Sequence, residues 1–191
     1  MGGIYEGAGR LGRWQRLQTE KILETRVFDV RKDASRSPRT GQTHDFFALE
    51  TGDWVNIVPI TESGEIVLIR QYRHGIGDFT LEIPGGMIDD EDASAAVAAR
   101  REMQEETGYD SADIRPLGWI HPNPAIQGNR THMFAAHGAI LCGETSFDST
   151  EETEVVLAPQ NKIPQLIADG GISHALVICA FHRLALARDS A

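Results

Sequence analysis

A chain of 191 residues, 41% of them apolar, has the length and composition of one main domain with a packed core and some additional N-terminal structure. A formal net charge of −10 argues against a nucleic-acid backbone as the main partner, and it requires that an anionic substrate be met by local Arg, Lys or metal. No stretch is long enough to span a bilayer, and Met1 to Gly12 lacks the apolar run of a leader peptide, so a soluble cytoplasmic protein is expected, with no membrane partner.

Met1 to Gly12 is Gly-rich and reads as a flexible start. Between Trp14 and Val30, the run Lys21 to Val30 carries Thr, Val and Phe in partial alternation, which predicts a strand. Arg36 to Gly41, with Pro38, predicts a turn, and Asp45 to Leu49 the returning strand of a hairpin. A lone hairpin is marginal in water, so this one must pack on something else. Trp54 to Ile60 and Glu65 to Tyr72, separated by Ser63-Gly64, predict a second hairpin. A short strand follows over Thr80 to Ile83, then a helix capped by Asp92 or Ser94 and closed by Gly108. Leu117 to Ile120 and Met133 to Ile140 read as strands around a loop, HPNPAIQGNR, spanning His121 to Arg130. A polar, acidic stretch from Gly143 leads to a short strand at Val155 to Ala158. Ile163 to Ala168 forms at least a helical turn, and Ser173 opens a final helix through Ala187. Strands before, between and after two main helices suit helices on both faces of a mixed sheet. The cysteines, Cys142 and Cys179, sit in apolar surroundings without metal-ligand spacing and are expected as core filler.

The chemistry is concentrated in Gly85 to Tyr109. At 3.6 residues per turn, Glu102, Glu105 and Glu106 share one helix face, beside an apolar stripe of Ala96, Ala99 and Met103. Like charges at this spacing need a counter-charge, and an oxygen-rich cluster suits Mg²⁺ or Mn²⁺. The acidic face is expected to be solvated. Pro84-Gly85-Gly86 before it forms a turn that lets backbone approach a ligand. Mg²⁺ keeps waters and takes phosphate oxygens readily, so the helix implies a phosphate-bearing substrate.

Gly86, Asp92, Arg101, Glu102, Met103, Glu105, Glu106, Gly108 and Tyr109 follow a pattern that resembles the Nudix box. There are two departures: Asp92 stands where Glu is usual, and eight residues rather than seven separate it from Arg101. The partner of Arg101 is therefore open. Gln71-Tyr72-Arg73 and Leu81 to Gly86 resemble the ADP-ribose pyrophosphatase branch of that family.

The resemblance implies an α+β fold, the Nudix α/β/α sandwich with a mixed central sheet and an N-terminal β-hairpin extension. Residues 1–50 would be the extension and dimerisation element, and 51–191 the catalytic domain. It implies Mg²⁺-dependent hydrolysis of a nucleoside diphosphate sugar into a nucleoside monophosphate and a sugar phosphate, with Mn²⁺ as the other candidate ion. Glu102, Glu106 and Glu105, with the carbonyl near Gly85, would hold the metal. Arg73, helped by Arg70, would grip the diphosphate, and Glu82 would lie at the mouth of the metal site. Asn123 and Asn129 of the loop would contact substrate, with Asn129 standing where this branch often has Glu. The general base would be Glu105, Glu151 or Glu152. In a homodimer, Arg26 or Phe28 of one chain would reach the nucleotide of the other. The alternatives are a module that senses a nucleotide without cleaving it, and a Nudix hydrolase of another class such as RNA caps. Nothing in the sequence decides which base or sugar is preferred.

Overall fold

The computed structural model describes residues 11–146 and 152–188. They divide into two compact units, one made of residues up to Thr51 together with Asn123–Asn129, the other of Gly52–Pro122 and the chain from Arg130 onward.

The first unit is a three-stranded antiparallel sheet in the order β1-β2-β3, with β1 at Gln15–Glu24, β2 at Asp29–Arg36 and β3 at Thr43–Glu50. The expected hairpin is thus the second half of a meander. Lys21 to Val30 is broken between β1 and β2 by a turn with no Gly or Pro. There the Thr25 hydroxyl accepts from Val27 N–H at 3.3 Å and Phe28 N–H at 3.0 Å, and it donates to the Phe28 carbonyl. Such a hydroxyl replaces the backbone bonds a strand would have made. The unit also takes in part of the Pro-Asn-Gly loop. Leu49 N–H donates to the Ile126 carbonyl at 2.7 Å, and Asn123 O accepts from Ile126 and Gln127.

The second unit is built on an eight-stranded mixed sheet. β4 (Trp54–Thr61) pairs parallel with β10 (Thr131–Leu141), and β5 (Glu65–Arg73) joins β4 to β11 (Thr153–Pro159) in antiparallel fashion. β6 (Asp78–Glu82) pairs with β5, β7 (Gly85–Met87) with β4, and β8 (Tyr109–Asp110) and β9 (Asp113–Ile120) with β10. Burial on both faces explains the near-continuous apolar runs of β4 and β10. On one face Val55, Ile57, Phe134 and Ala136 pack with Ala98, Ala99 and Met103 of α1 (Ala95–Thr107). On the other, Val58, Ile60, Met133 and Ala135 pack with Ile163 of α2 (Ile163–Ala168) and with Val177, Ala180, Phe181 and Leu184 of α3 (Ala175–Arg188). Met103 is fully buried, and truncating such a side chain to Ala costs about 2–5 kcal/mol. Helices on both faces of a mixed sheet, as the element pattern predicts, are therefore present. Cys179 packs at the edge of the second core, but Cys142 is exposed, because β10 carries Ile140 and Leu141 out into solvent before it.

Ser94, not Asp92, caps α1, accepting from Val97 N–H at 3.3 Å. The helix stops at Gly108, whose φ of 72° puts it in the left-handed region and whose N–H returns to Gln104 O. A Cβ there would lie 2.3 Å from the Gly143 carbonyl, so the position needs glycine for space as well as for conformation.

Candidate active site

α1 carries its three glutamates toward β7, the strand that precedes it. Glu102 is 9% exposed and Glu106 4%, while Glu105 keeps partial exposure. Two of the three carboxylates are thus buried, contrary to the expectation of a solvated face, and only Glu105 stays partly solvated. The cover of the buried two is backbone. Gly85 N–H donates to Glu106 Oε2 at 2.8 Å, and a Cβ on Gly86 would sit 2.4 Å from Glu102 Oε1. At Gly86 a side chain would displace the Glu102 carboxylate, and at Gly85 it would run into the Val55 carbonyl and Asn56 of β4. Glu106 also holds its neighbours through its main chain, since its carbonyl accepts from the Thr153 hydroxyl at 2.9 Å.

Arg101 is the hub of this site. Its guanidinium lies 3.2 Å from Asp89, 2.9 Å from Asp92, 2.9 Å from Glu102 and 3.0 Å from Glu105, and it donates to the Met87 carbonyl at 3.1 Å. The extra residue before α1 therefore does not cost Arg101 its acidic partner. Asp92 is freed from capping and meets the guanidinium with both oxygens. The Arg101 hydrogen bond, the largest influence, holds the Asp92 carboxyl below its ordinary range against a smaller push from burial. Asp92 is also tied to its own loop, accepting from Asp89 N–H at 3.0 Å.

A second cluster lies on β5 and β6. Register pairing sets Arg73 opposite Asp78 and Ile69 opposite Glu82. Arg73 Nε and Nη2 donate to the two Glu82 oxygens at 2.7 and 2.8 Å, a bidentate pair, and the Thr80 hydroxyl donates to Glu82 Oε1. Glu82 is 1% exposed. Burial pushes its carboxyl up, but the Arg73 hydrogen bond and charge, with Thr80 and His174, bring it below its usual value. His174, just before α3, stands with Nε2 4.0 Å from Glu82 Oε2. Burial lowers the His174 pKa, Glu82 opposes that and Arg73 adds to it. The Nε–Nη2 edge of the Arg73 guanidinium is thus engaged by Glu82. Sequence reading missed both this pairing and His174, because strand register and the docking of a distant helix leave no local signal.

The remaining candidates scatter. Arg70 pairs with Glu154 at 3.3 Å and stacks over Phe79, 4.1 Å from the ring centroid. Glu152 is exposed just before β11, and Glu151 lies outside the described residues. Arg26 and Phe28 sit in the β1–β2 turn of the first unit, where Phe28 is exposed. Asn123 is exposed and Asn129 buried, both in the loop segment belonging to that unit.

The donor set on α1 fits a hard divalent cation in kind: it consists of carboxylates and backbone carbonyls, the ligands of Mg²⁺ and Mn²⁺. Its charge fits too. Four carboxylates surround the single Arg101 guanidinium, Asp92 and Glu102 largely buried and Asp89 and Glu105 partly solvated, and such a crowd of anions favours a further cation. Among the described residues no three acidic or imidazole side chains already converge on one point. Ligation requires Glu102 or Glu105 to turn from the guanidinium.

Residues 51–180 match the NUDIX domain family. The chain is 29% identical over 130 residues to the methanol dehydrogenase activator of Bacillus methanolicus, covering 68% of this chain and 69% of that one. It is 26% identical over 138 residues to the ADP-ribose pyrophosphatase of Bacillus subtilis (strain 168), covering 72% and 74%. The crystal structure of an ADP compounds hydrolase superposes with a TM-score of 0.84 at 23% identity, covering 94% of this chain and 96% of the other, and so shares the fold. Among the described residues no helix is long and apolar enough to cross a membrane.

Proposed function

This chain belongs to the Nudix family, and from that premise we propose that it hydrolyses the diphosphate of nucleoside diphosphate sugars such as ADP-ribose, giving a nucleoside monophosphate and a sugar phosphate, with Mg²⁺ as its ion. The observation that carries the reading is the surplus of carboxylate around Arg101 beside the glycine-backed strand β7. The similarity to a protein named ADP-ribose pyrophosphatase supports the substrate class.

Glu102 and Glu106, with Glu105 and the carbonyl near Gly85, would hold the metal. When bound, it neutralises phosphate charge and makes a water more acidic. Arg101 holds Glu102 and Glu105 close to β7 before any ligand arrives, and the ion would compete with the guanidinium for them. Glu105, Glu151 and Glu152 are the candidates to take the water's proton, which needs hydrogen-bond reach, directly or through one water. Arg73 orients the diphosphate while anchored by buried Glu82, and Arg70 adds positive charge on the same strand. Asn123, Asn129 and, from a partner subunit, Arg26 or Phe28 would contact the nucleotide. In the same proposal the N-terminal sheet is the contact of a two-fold homodimer, and the protein works in the cytoplasm without nucleic-acid or membrane partners.

The test is a panel of ADP-ribose, other nucleotide sugars and a capped RNA, incubated with Mg²⁺ or Mn²⁺ and resolved for phosphate-containing products. Nucleoside monophosphate and sugar phosphate in equal amounts are expected. Binding without any turnover would replace this reading by a nucleotide sensor, and turnover of the cap alone would replace the substrate.

A further inference from the structure

Buried Glu82 has two basic side chains close to it and bonds to one of them. Arg73 donates two hydrogen bonds to it, at 2.7 and 2.8 Å, and Thr80 donates a third. His174, just before α3, stops short, with Nε2 4.0 Å from Oε2. A charged hydrogen bond to a carboxylate spans about 2.7–2.9 Å, so a side-chain shift of about 1 Å would close the gap. All four residues belong to the second unit.

The main chain at His174 is fixed and its ring is not. The His174 carbonyl accepts from Ile178 N–H at 3.1 Å, in the first turn of α3. Two residues earlier, fully buried Ile172 donates its N–H to the Leu166 carbonyl at 2.9 Å. The ring's Nδ1, by contrast, is buried with no hydrogen-bond partner among the described residues. A buried nitrogen left unpaired is a cost to the fold, so the fold alone gives no reason for an imidazole here. Glu82 and Arg73 are the charged groups that act on it: burial and Arg73 lower its pKa, and Glu82 opposes them. Arg183, the cation farther along α3, is held by the carbonyls of Leu117 at 3.0 Å and Trp119 at 2.9 Å. The Arg73 side chain is 41% exposed and that of Glu82 1%, so an incoming diphosphate meets the guanidinium and not the carboxylate. A guanidinium shared between the two leaves the buried anion short of counter-charge, which a buried site tolerates poorly.

We infer that His174 is the reserve partner of Glu82: when a diphosphate draws on Arg73, His174 takes a proton from solvent and closes on the carboxylate. The inference rests on the reading of Arg73 as the diphosphate ligand given above. In the imidazolium both ring nitrogens carry protons, so Nε2 donates to Glu82 whichever nitrogen held the first one. Solvent reaches the side chain, which is 31% exposed. Arg73 thereby stays anchored while its charge is shared. His174 is a positioning residue, acting on the substrate through Glu82 and Arg73.

The experiment compares the full-length protein with H174Q and E82Q. Binding of the non-hydrolysable α,β-methylene analogue of ADP-ribose, with Mg²⁺ present, is followed by calorimetry in two buffers of different ionisation heat. The diphosphate of this ligand has no group that titrates near neutrality. Wild type should take up a fraction of a proton on binding. Its affinity should fall as pH rises above the ordinary imidazole value of 6.5, by up to about tenfold per pH unit. H174Q and E82Q should bind without that uptake and with a flat profile. In wild type alone, the His174 ring signals in proton NMR should titrate at higher pH with the analogue bound than without it. Equal uptake in wild type and H174Q, or a His174 titration that the analogue leaves in place, overturns the inference while turnover of ADP-ribose keeps the hydrolytic reading. Wild type that does not bind the analogue overturns both. Proton-linked binding by a protein that hydrolyses no nucleotide sugar leaves the inference standing and removes the hydrolytic reading.

Discussion

Two carboxylate–guanidinium clusters in the second unit are built from the same chemical groups and differ in their balance. At Glu82 one buried carboxylate meets one Arg73 fork, both oxygens engaged, with Thr80 adding a third bond. At Arg101 one guanidinium serves Asp89, Asp92, Glu102 and Glu105, and Glu106 sits beyond it on a backbone N–H. The first cluster is closed and holds strands in register. The second gathers four carboxylates about one guanidinium, Asp92 and Glu102 largely buried, an arrangement that a divalent cation would relieve. The comparison separates a balanced pair from a cluster with one guanidinium among four carboxylates, although both look alike as acidic and basic residues in the sequence.

The contrast breaks most sharply at Glu106. Glu106→Gln keeps the shape and the Gly85 hydrogen bond but removes a charge. Turnover should fall by more than the roughly 10- to 100-fold typical of a residue that only supports a ligand. Mg²⁺ should raise the Tm of the wild type, as a ligand of the native state does, and leave that of the variant unchanged. Retained turnover and an unchanged Mg²⁺ effect would show that the surplus charge is not for metal.

The closed pair should respond in the opposite way. Arg73→Ala strands Glu82, and urea unfolding should report a loss of about 2 kcal/mol, below the 3–5 kcal/mol of fully buried pairs because Arg73 is partly solvated. Adding Glu82→Gln should restore much of it, a coupling that independent sites would not show. If the double variant is as unstable as the sum of the singles, the pair is not a unit.

Gly86→Ala sharpens the second half of the contrast. The atoms nearest the new Cβ are the carboxylate end of the Glu102 side chain, which can move, so the fold should survive. The displaced carboxylate should weaken apparent Mg²⁺ affinity by about tenfold, in the range of indirect effects on metal sites. Unchanged Mg²⁺ activation would remove Glu102 from the ligand set.

The smallest effect is in pH. His174, Glu82 and Asp92 all have folded pKa values below their ordinary ones of 6.5, 4.5 and 3.8. The unfolded chain then binds more protons in each window, so stability rises with pH there. The His174 contribution is complete above pH 6.5 and lost as pH falls through its folded value. The Glu82 and Asp92 contributions are lost only below 4.5 and 3.8. The urea midpoint of metal-free protein should therefore begin to drop just below pH 6.5, and His174→Gln should remove that first step alone. A first step that persists in this variant would assign it to another group.

Legibility followed the range of the signals. The carboxylate helix with its Gly108 stop, and the strands around Ser63-Gly64, were readable because caps, turns and periodicity act over a few residues, although the sequence left the cap between Asp92 and Ser94. The turn at Thr25 was not, since a hydroxyl rather than Gly or Pro makes it. The burial of Glu102 and Glu106 was missed because a three-residue strand, Gly85–Met87, covers them, and two glycines read equally well as a loose turn. The site's wiring escaped for the same reason. Arg73 finds Glu82 only once β5 and β6 are in register, and His174 arrives from the far end of the chain.

The parallel alignment of β4 with β10 has a consequence for how the chain reaches this state. β5 can fold back on β4 as soon as both exist, but the other edge of β4 must wait until Thr131 onward has been made. During synthesis a strand of Val, Ile and Pro stands with one edge open while the whole carboxylate helix is produced. Pairings so far apart are slow to form, and an open apolar edge invites other chains. Expression at lower temperature, or with abundant chaperones, should therefore raise the soluble yield more than any single substitution at the active site.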